Sequence, residues 1–375
     1  MTGRSTSWSA CATAACAIEL SGGKLQEIKG LIRAIGGASF IVFTLCAFSW
    51  QSATPSQSRT SPPDVRPGLQ LPPASAGWDK VVEGLLSAFD KADVVALGAT
   101  RGRKGSDLRL RLIRHPDFPN KARFIVVEFG NSLYQPILDR YILGEDVPLT
   151  ELQQVWRNTT QVGSWDSPIH AEFYAAVREV NRKLPPTKQL RVLAGDPPID
   201  WNKVQTRPDY HPFGDGDRRD ESLVSIVHNQ VLKKGEKALV IYGFAHLSRP
   251  AFPNALQEDN PRNVFVVNLM GGSGPGIEGF EKALQSRERP VFVSLRGTPV
   301  AAFIANQFSW GARRFVQGKE VPLFAPTVTL GDLADACVYF GEASDSDPDP
   351  DPAIYSGTPY GTEVARRRQI LATSR

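Results

Sequence analysis

"LVIYGFAHLSRP" (residues 239–250) decides how the chain is read. Leu239 to Gly243 are nearly all apolar, with the length and content of a strand buried on both faces. The chain then turns through Gly243 and presents His246, one of five histidines. A strand buried on both sides needs partners of the same kind, and the sequence supplies them: "ADVVALG" (92–98), "RFIVVEF" (123–129), "LRVLAG" (190–195), "KALVIYG" (237–243), "NVFVVNL" (263–269), "PVFVSL" (290–295) and "DACVYFG" (335–341). Amphipathic helical patterns lie between several of them. One places Val81, Val82, Leu85, Leu86 and Phe89 on a single face, another Phe173, Tyr174, Val177, Val180 and Leu184. Strands alternating with helices predict an α/β fold, a mostly parallel central sheet flanked by helices. The longest interval, 130–189, is too long for one crossover and reads as a helical insertion or lid. It carries the aromatic stretch "VWRNTTQVGSW".

In open parallel sheets, ligands bind beyond the carboxyl ends of the strands. The first strand delivers Thr100, Arg101 and Arg103 there; the second, Glu128; the third, Asp196 and Asp200; the fourth, His246. Groups of different charge on rigid elements are what an acid–base site requires. Glu128 is the most informative, because its near neighbours in "FIVVEFG" are apolar. A buried carboxylate is costly unless paired, and Arg101 and His246 are its expected partners. The candidate site residues are therefore His246, Glu128, Arg101 and Asp196. Structural roles compete for each: an ion pair that orients loops for Glu128, a polar loop residue for His246, a turn before two prolines for Asp196.

The order of these motifs resembles that of the erythromycin esterase-like group, whose wider superfamily includes the ChaN haem-binding and TIKI proteins. "VVEFG" (Glu128) is similar to the family's second strand, which ends in Glu. "IYGFAHL" (Gly243, His246) is similar to its late strand, which ends in Gly followed shortly by His. Trp165, Phe173 and Asn181 also look like the family's middle segment. The resemblance runs from about Asp79 to Gly341. It implies a hydrolase that acts through activated water on an ester or related small molecule. Under it, His246 is general base or water-orienting group, Glu128 holds His246 or a metal, Arg101 stabilises negative charge on a ligand, and Asp196 supports the cleft. A divalent metal or haem is implied by the resemblance alone. One motif departs. In "GATRG" (98–102), Ala99 stands where the family has Glu and Arg101 where it has His. Alanine cannot handle a proton, and arginine stays protonated. The alternative is thus a catalytically impaired relative that binds a ligand, haem or an anion.

Outside this region the chain reads differently. Lys24, Lys29 and Arg33 precede the uncharged "AIGGASFIVFTLCAFSW" (34–50). Its length falls between a signal-peptide core of ~7–15 residues and a membrane span of ~20. Residues 1–50 are expected to be a signal peptide, cleaved before Trp50, or a signal anchor. Residues 51–78, rich in Ser, Pro and Gln, read as a flexible linker. Residues 79–341 form the expected domain. Residues 342–375, with "DSDPDPDP" (345–352), read as an acidic Pro-rich linker and a short terminal helix; the run lacks the Gly and Glu of an EF-type calcium loop. The protein is expected to be exported, periplasmic or extracytoplasmic, touching membrane only through an uncleaved N-terminal segment.

The chain has 375 residues, 43 basic against 39 acidic and a net charge of +4. That balance, with no basic stripe, argues against nucleic acid and leaves a small molecule as the expected partner. Of the four cysteines only Cys337 falls in the domain, so a cysteine zinc site or disulfide framework is excluded. "GPGIEG" (274–279) matches a dinucleotide fingerprint, but Pro275 removes a backbone donor and a plain Gly loop is the expectation. No G-x-S-x-G elbow is present, so any hydrolysis should use activated water rather than a serine acyl-enzyme.

Overall fold

The computed structural model describes residues 76–99, 102–215, 217–248, 251–257, 264–272, 274–284, 288–308, 313–316, 319–322, 324–342 and 347–372. The expected signal segment, and with it most of the expected linker, lies outside the described residues. The first helix, Ala76–Ala88, begins within that expected linker.

Nine strands are described: β1 Val94–Ala99, β2 Phe124–Asn131, β3 Arg191–Asp196, β4 Ala238–Gly243, β5 Val264–Gly272, β6 Val291–Ser294, β7 Arg313–Val316, β8 Lys319–Pro322 and β9 Ala336–Glu342. Seven of them form one sheet in the order β3-β2-β4-β1-β5-β9-β6, and β7 and β8 form a separate hairpin. All neighbours in the large sheet are parallel except β6, which runs antiparallel to β9. This is the α/β fold that the alternating pattern predicts.

The strands read as apolar runs because both faces of the sheet are covered. Val95, Leu97, Ile125, Val127, Leu239 and Ile241 face one core. Val94, Ala96, Val126, Val240, Tyr242 and Val266 face the other. All eight residues of β2 are buried, Glu128 among them. Burying each large apolar side chain contributes about 1.5–3 kcal/mol, so the central strands fix the frame on which the edge residues hang. On the first face, helix Ala76–Ala88 contributes Val81, Val82, Leu85 and Leu86, and helix Pro168–Asn181 contributes Phe173, Tyr174 and Val177. The interval 130–189 is helical as expected. It holds Gln135–Ile142, Leu149–Leu152, Gln154–Arg157 and Pro168–Asn181.

Two glycines let elements close onto the carboxyl edge. A Cβ on Gly98 of β1 would stand 2.7 Å from the ring of Phe244, and one on Gly195 of β3 would stand 2.2 Å from the Tyr242 hydroxyl. The one-turn helix Phe244–Leu247 can therefore lie directly on β1, with Leu247 buried and His246 at the rim.

Candidate active site

The second strand brings a carboxylate to its end with no water to solvate it. Glu128 is 4% exposed. Its Oε2 accepts the backbone N–H of Gly243 at 2.6 Å, and its Oε1 accepts from Gln161 Nε2 at 3.2 Å and from Arg219 Nη2. Asp196, at the end of β3, is 1% exposed. It accepts the N–H of Thr160 at 2.6 Å, the Thr160 hydroxyl at 2.7 Å and Arg219 Nε at 3.2 Å. The third arm of Arg219, Nη1, lies 3.2 Å from His246 Nε2. One guanidinium thus joins Glu128, Asp196 and His246.

Arg219 comes from the first turn of helix Arg218–Gln230, where Asp220 and Glu221 suit the positive end of the helix dipole. The inward stripe of this helix is Arg219, Leu223, Ile226 and Val227, at helical spacing, and the last three are buried. Ser222 on the same side donates its hydroxyl to the Gly195 carbonyl at 3.0 Å, tying the helix to β3. Asp220 faces outward, and its Oδ1 lies 2.6 Å from His246 Nδ1.

A guanidinium can only donate, so Nε2 of His246 accepts from Arg219. The ring proton then sits on Nδ1 and is donated to Asp220. Asp220 fixes the tautomer and leaves Nε2 as the basic nitrogen, 3.8 Å from Glu128 Oε1. The His246 side chain is 26% exposed, so solvent or a small ligand can reach it.

Burial opposes the charge on Arg219, but Glu128 and then Asp196 outweigh it and raise its pKa. Burial also pushes the Asp196 carboxyl up to about 6, against the pull of Arg219 and of Thr160. The physical reason is desolvation: a carboxylate 1% exposed loses more by leaving water than these donors return. Burial raises the Tyr242 phenol well above its ordinary range, and Asp196 and Glu128 add to the effect.

The structure brings together Glu128, Asp196 and His246. Arg101 lies outside the described residues, as does Thr100. Among the described residues the cation at Glu128 is Arg219, and the carboxylate on His246 Nδ1 is Asp220; neither was a candidate from the sequence. The signal for Arg219 was its position four, seven and eight residues before Leu223, Ile226 and Val227. Asp220 carried no signal of its own beyond adjacency. Asp200 accepts the N–H of Asn202 and shapes a turn, and Arg103 pairs with Glu172 at 3.2 Å. In "GPGIEG" the Gly276 N–H is spent on the Gln307 carbonyl at 3.0 Å, so this loop packs against its neighbour.

The divalent metal implied by the sequence resemblance does not match this donor set. The oxygens of Glu128 and Asp196 are turned onto a guanidinium, two backbone N–H groups and two side-chain donors. Among the described residues no group of three or more His, Cys, Asp or Glu side chains could hold a metal ion. Both nitrogens of His246, the imidazole at this edge, are engaged.

The fold and site define an α/β protein with an arginine-centred carboxylate cluster and an Asp–His pair at the carboxyl edge of its sheet. No family model matches the chain, and no curated protein matches it. Solved structures similar to it include a mutant of the erythromycin esterase EreC in its open conformation, 12% identical, with a TM-score of 0.46, covering 72% of this chain and 95% of that one. A Bacillus cereus protein solved by structural genomics is 13% identical, with a TM-score of 0.46, covering 75% of this chain and 95% of that one. ChaN of Campylobacter jejuni, solved with cofacially bound haem, is 16% identical, with a TM-score of 0.33, covering 51% of this chain and 86% of that one.

Proposed function

We propose that the chain is a divergent erythromycin esterase-like hydrolase that cleaves an ester, or a related small molecule, with activated water. The observation that carries this reading is the 2.6 Å contact from Asp220 Oδ1 to His246 Nδ1, which leaves a basic Nε2 turned toward Arg219 and Glu128. An attacking water gives its proton to Nε2 as its oxygen bonds to the ester carbonyl carbon. The imidazolium so formed is stabilised by Asp220. The tetrahedral intermediate then expels its alkoxide, which takes the proton from His246. General base catalysis of this kind is worth roughly 10²–10⁴ in rate. Arg219 Nη1 must leave Nε2 for the water to dock, and it is then free to donate to the developing oxyanion. In this proposal Arg219 takes the charge-stabilising role that the resemblance gives to Arg101.

His246→Ala in the purified protein should lower turnover of any hydrolysed ester by about 10²-fold or more. Turnover unchanged by that substitution would contradict the proposal. A second reading, a catalytically impaired binding protein, is favoured by the Arg219 N–H seated on the Nε2 lone pair and by Ala99 in the first motif. It predicts ligand binding without hydrolysis across an ester panel. In either reading the partner is a small molecule, and export rests on the N-terminal segment. Among the described residues, no helix is long and apolar enough to cross a membrane.

A further inference from the structure

Thr160 and Gln161 reach Asp196 and Glu128 from a loop, residues 158–167, that joins helices Gln154–Arg157 and Pro168–Asn181. Loops of this kind are held only by what packs on them. Here the chain's own C-terminal segment, residues 347–372, holds this one at both ends. At its start, Arg367 donates from Nη1 to the Arg157 carbonyl at 2.9 Å and from Nη2 to Asn158 Oδ1 at 2.8 Å. At its finish, the hydroxyls of Tyr355 and Tyr360 donate to Asp166 at 2.6 and 2.8 Å, and the Ser167 hydroxyl donates to the Pro348 carbonyl at 2.8 Å. The guanidinium of Arg157 lies 4.3 Å from the centre of the Tyr360 ring.

The same helix, Pro359–Ala372, also grips the loop that follows β3. Arg366 donates to the carbonyls of Trp201 at 2.8 Å and Val204 at 2.7 Å, and Arg367 stacks 4.8 Å over the Trp201 ring. Trp201 in turn donates its indole N–H to the Thr159 carbonyl at 3.0 Å. Ile370 completes a small apolar cluster with Ile199, Trp201, Val204 and Tyr210, apart from the two main cores. Arg367 and Asp166 are 4% and 9% exposed, so these polar contacts are made where water cannot replace them.

We propose that the C-terminal segment is a clamp that holds the 158–167 loop on Asp196 and Glu128, with Arg367 as a positioning residue that acts through Asn158 on Thr160 and Gln161. Its kinetic consequence rests on the hydrolase reading above; its structural consequence does not. The test is hydrogen exchange on the full-length protein carrying Arg367→Ala, beside a Tyr355→Phe, Tyr360→Phe double variant. The double variant keeps both rings and removes only the donors to Asp166, so it answers the question even where Arg367→Ala fails to fold. Amides of 158–167 should exchange faster by about tenfold in each, while those of β1 and β4 keep the wild-type rate. Unchanged exchange in 158–167 in the folded variants overturns the clamp. For an ester that the wild type turns over, kcat should fall by about tenfold with KM within about twofold. Faster exchange with unchanged kcat overturns the positioning role. A wild type without turnover contradicts the hydrolase reading and leaves the exchange result to decide the clamp.

Discussion

Two places in this sheet bury aspartates against arginine, and they differ in what surrounds the pair. Asp335, 1% exposed, precedes β9 and accepts the Val266 N–H at 2.9 Å. Its backbone N–H and carbonyl also bond to Val266 and Leu295, so it stitches β5 and β9 to the residue that follows β6. Its arginine, Arg296, has a side chain 69% exposed. At the carboxyl edge, Arg219 is 13% exposed and is shared by Glu128 and Asp196, with His246 on its remaining arm. The first pair is a strand junction whose cation keeps its water. The second concentrates three acids, counting Asp220, around one buried guanidinium and a half-buried imidazole. Nothing in strand geometry requires that arrangement, and a crowd of groups that shift each other's charge states is what makes this edge the candidate site.

The two arginines differ most in what their removal costs. Arg219→Ala leaves two buried carboxylates without their cation and should cost about 3–5 kcal/mol in urea unfolding. A cost no larger than that of an exposed ion pair would mean that the cluster is not the electrostatic centre described above. Next in size is a pH effect. With a folded pKa of about 6 against the ordinary 3.8, Asp196 is harder to ionise in the folded state. Its contribution to stability therefore falls as pH rises from about 4 to about 6 and is level above that, by an amount on the order of 3 kcal/mol. Wild-type stability minus that of Asp196→Asn should slope downward across this window. An upward slope would show that Arg219 and Thr160 dominate the burial. The smallest effect belongs to Arg296→Ala, which should cost about 1 kcal/mol or less, because its exposed guanidinium is easily replaced by water.

The sheet was legible because strands covered on both faces leave continuous apolar runs. Each of the seven expected runs is a strand, displaced at either end by at most a few residues. The β7–β8 hairpin was not, since "RRFVQGKEVP" carries charges and no alternation strong enough to mark two short strands. Glu128 was visible as a carboxylate in an apolar strand, and His246 as the group following a buried strand. Arg219 and Asp220 were hidden in "DGDRRDES", where a charged helix start looks like a solvated face. The sequence shows the C-terminal segment as linker and short helix, without its packing, because its anchors are tyrosine hydroxyls and arginines on backbone carbonyls. Such contacts are made between residues about 200 apart and leave no local period.

The claim that carries the rest is that Asp220 sets the tautomer of His246 for proton transfer. Asp220 is half exposed, so Asp220→Asn should leave the unfolding midpoint nearly unchanged. Ester turnover by the purified protein and by this variant tests the claim most directly. The account predicts a fall in kcat of about 10²-fold or more with little change in KM. Equal kcat in the two proteins would contradict it.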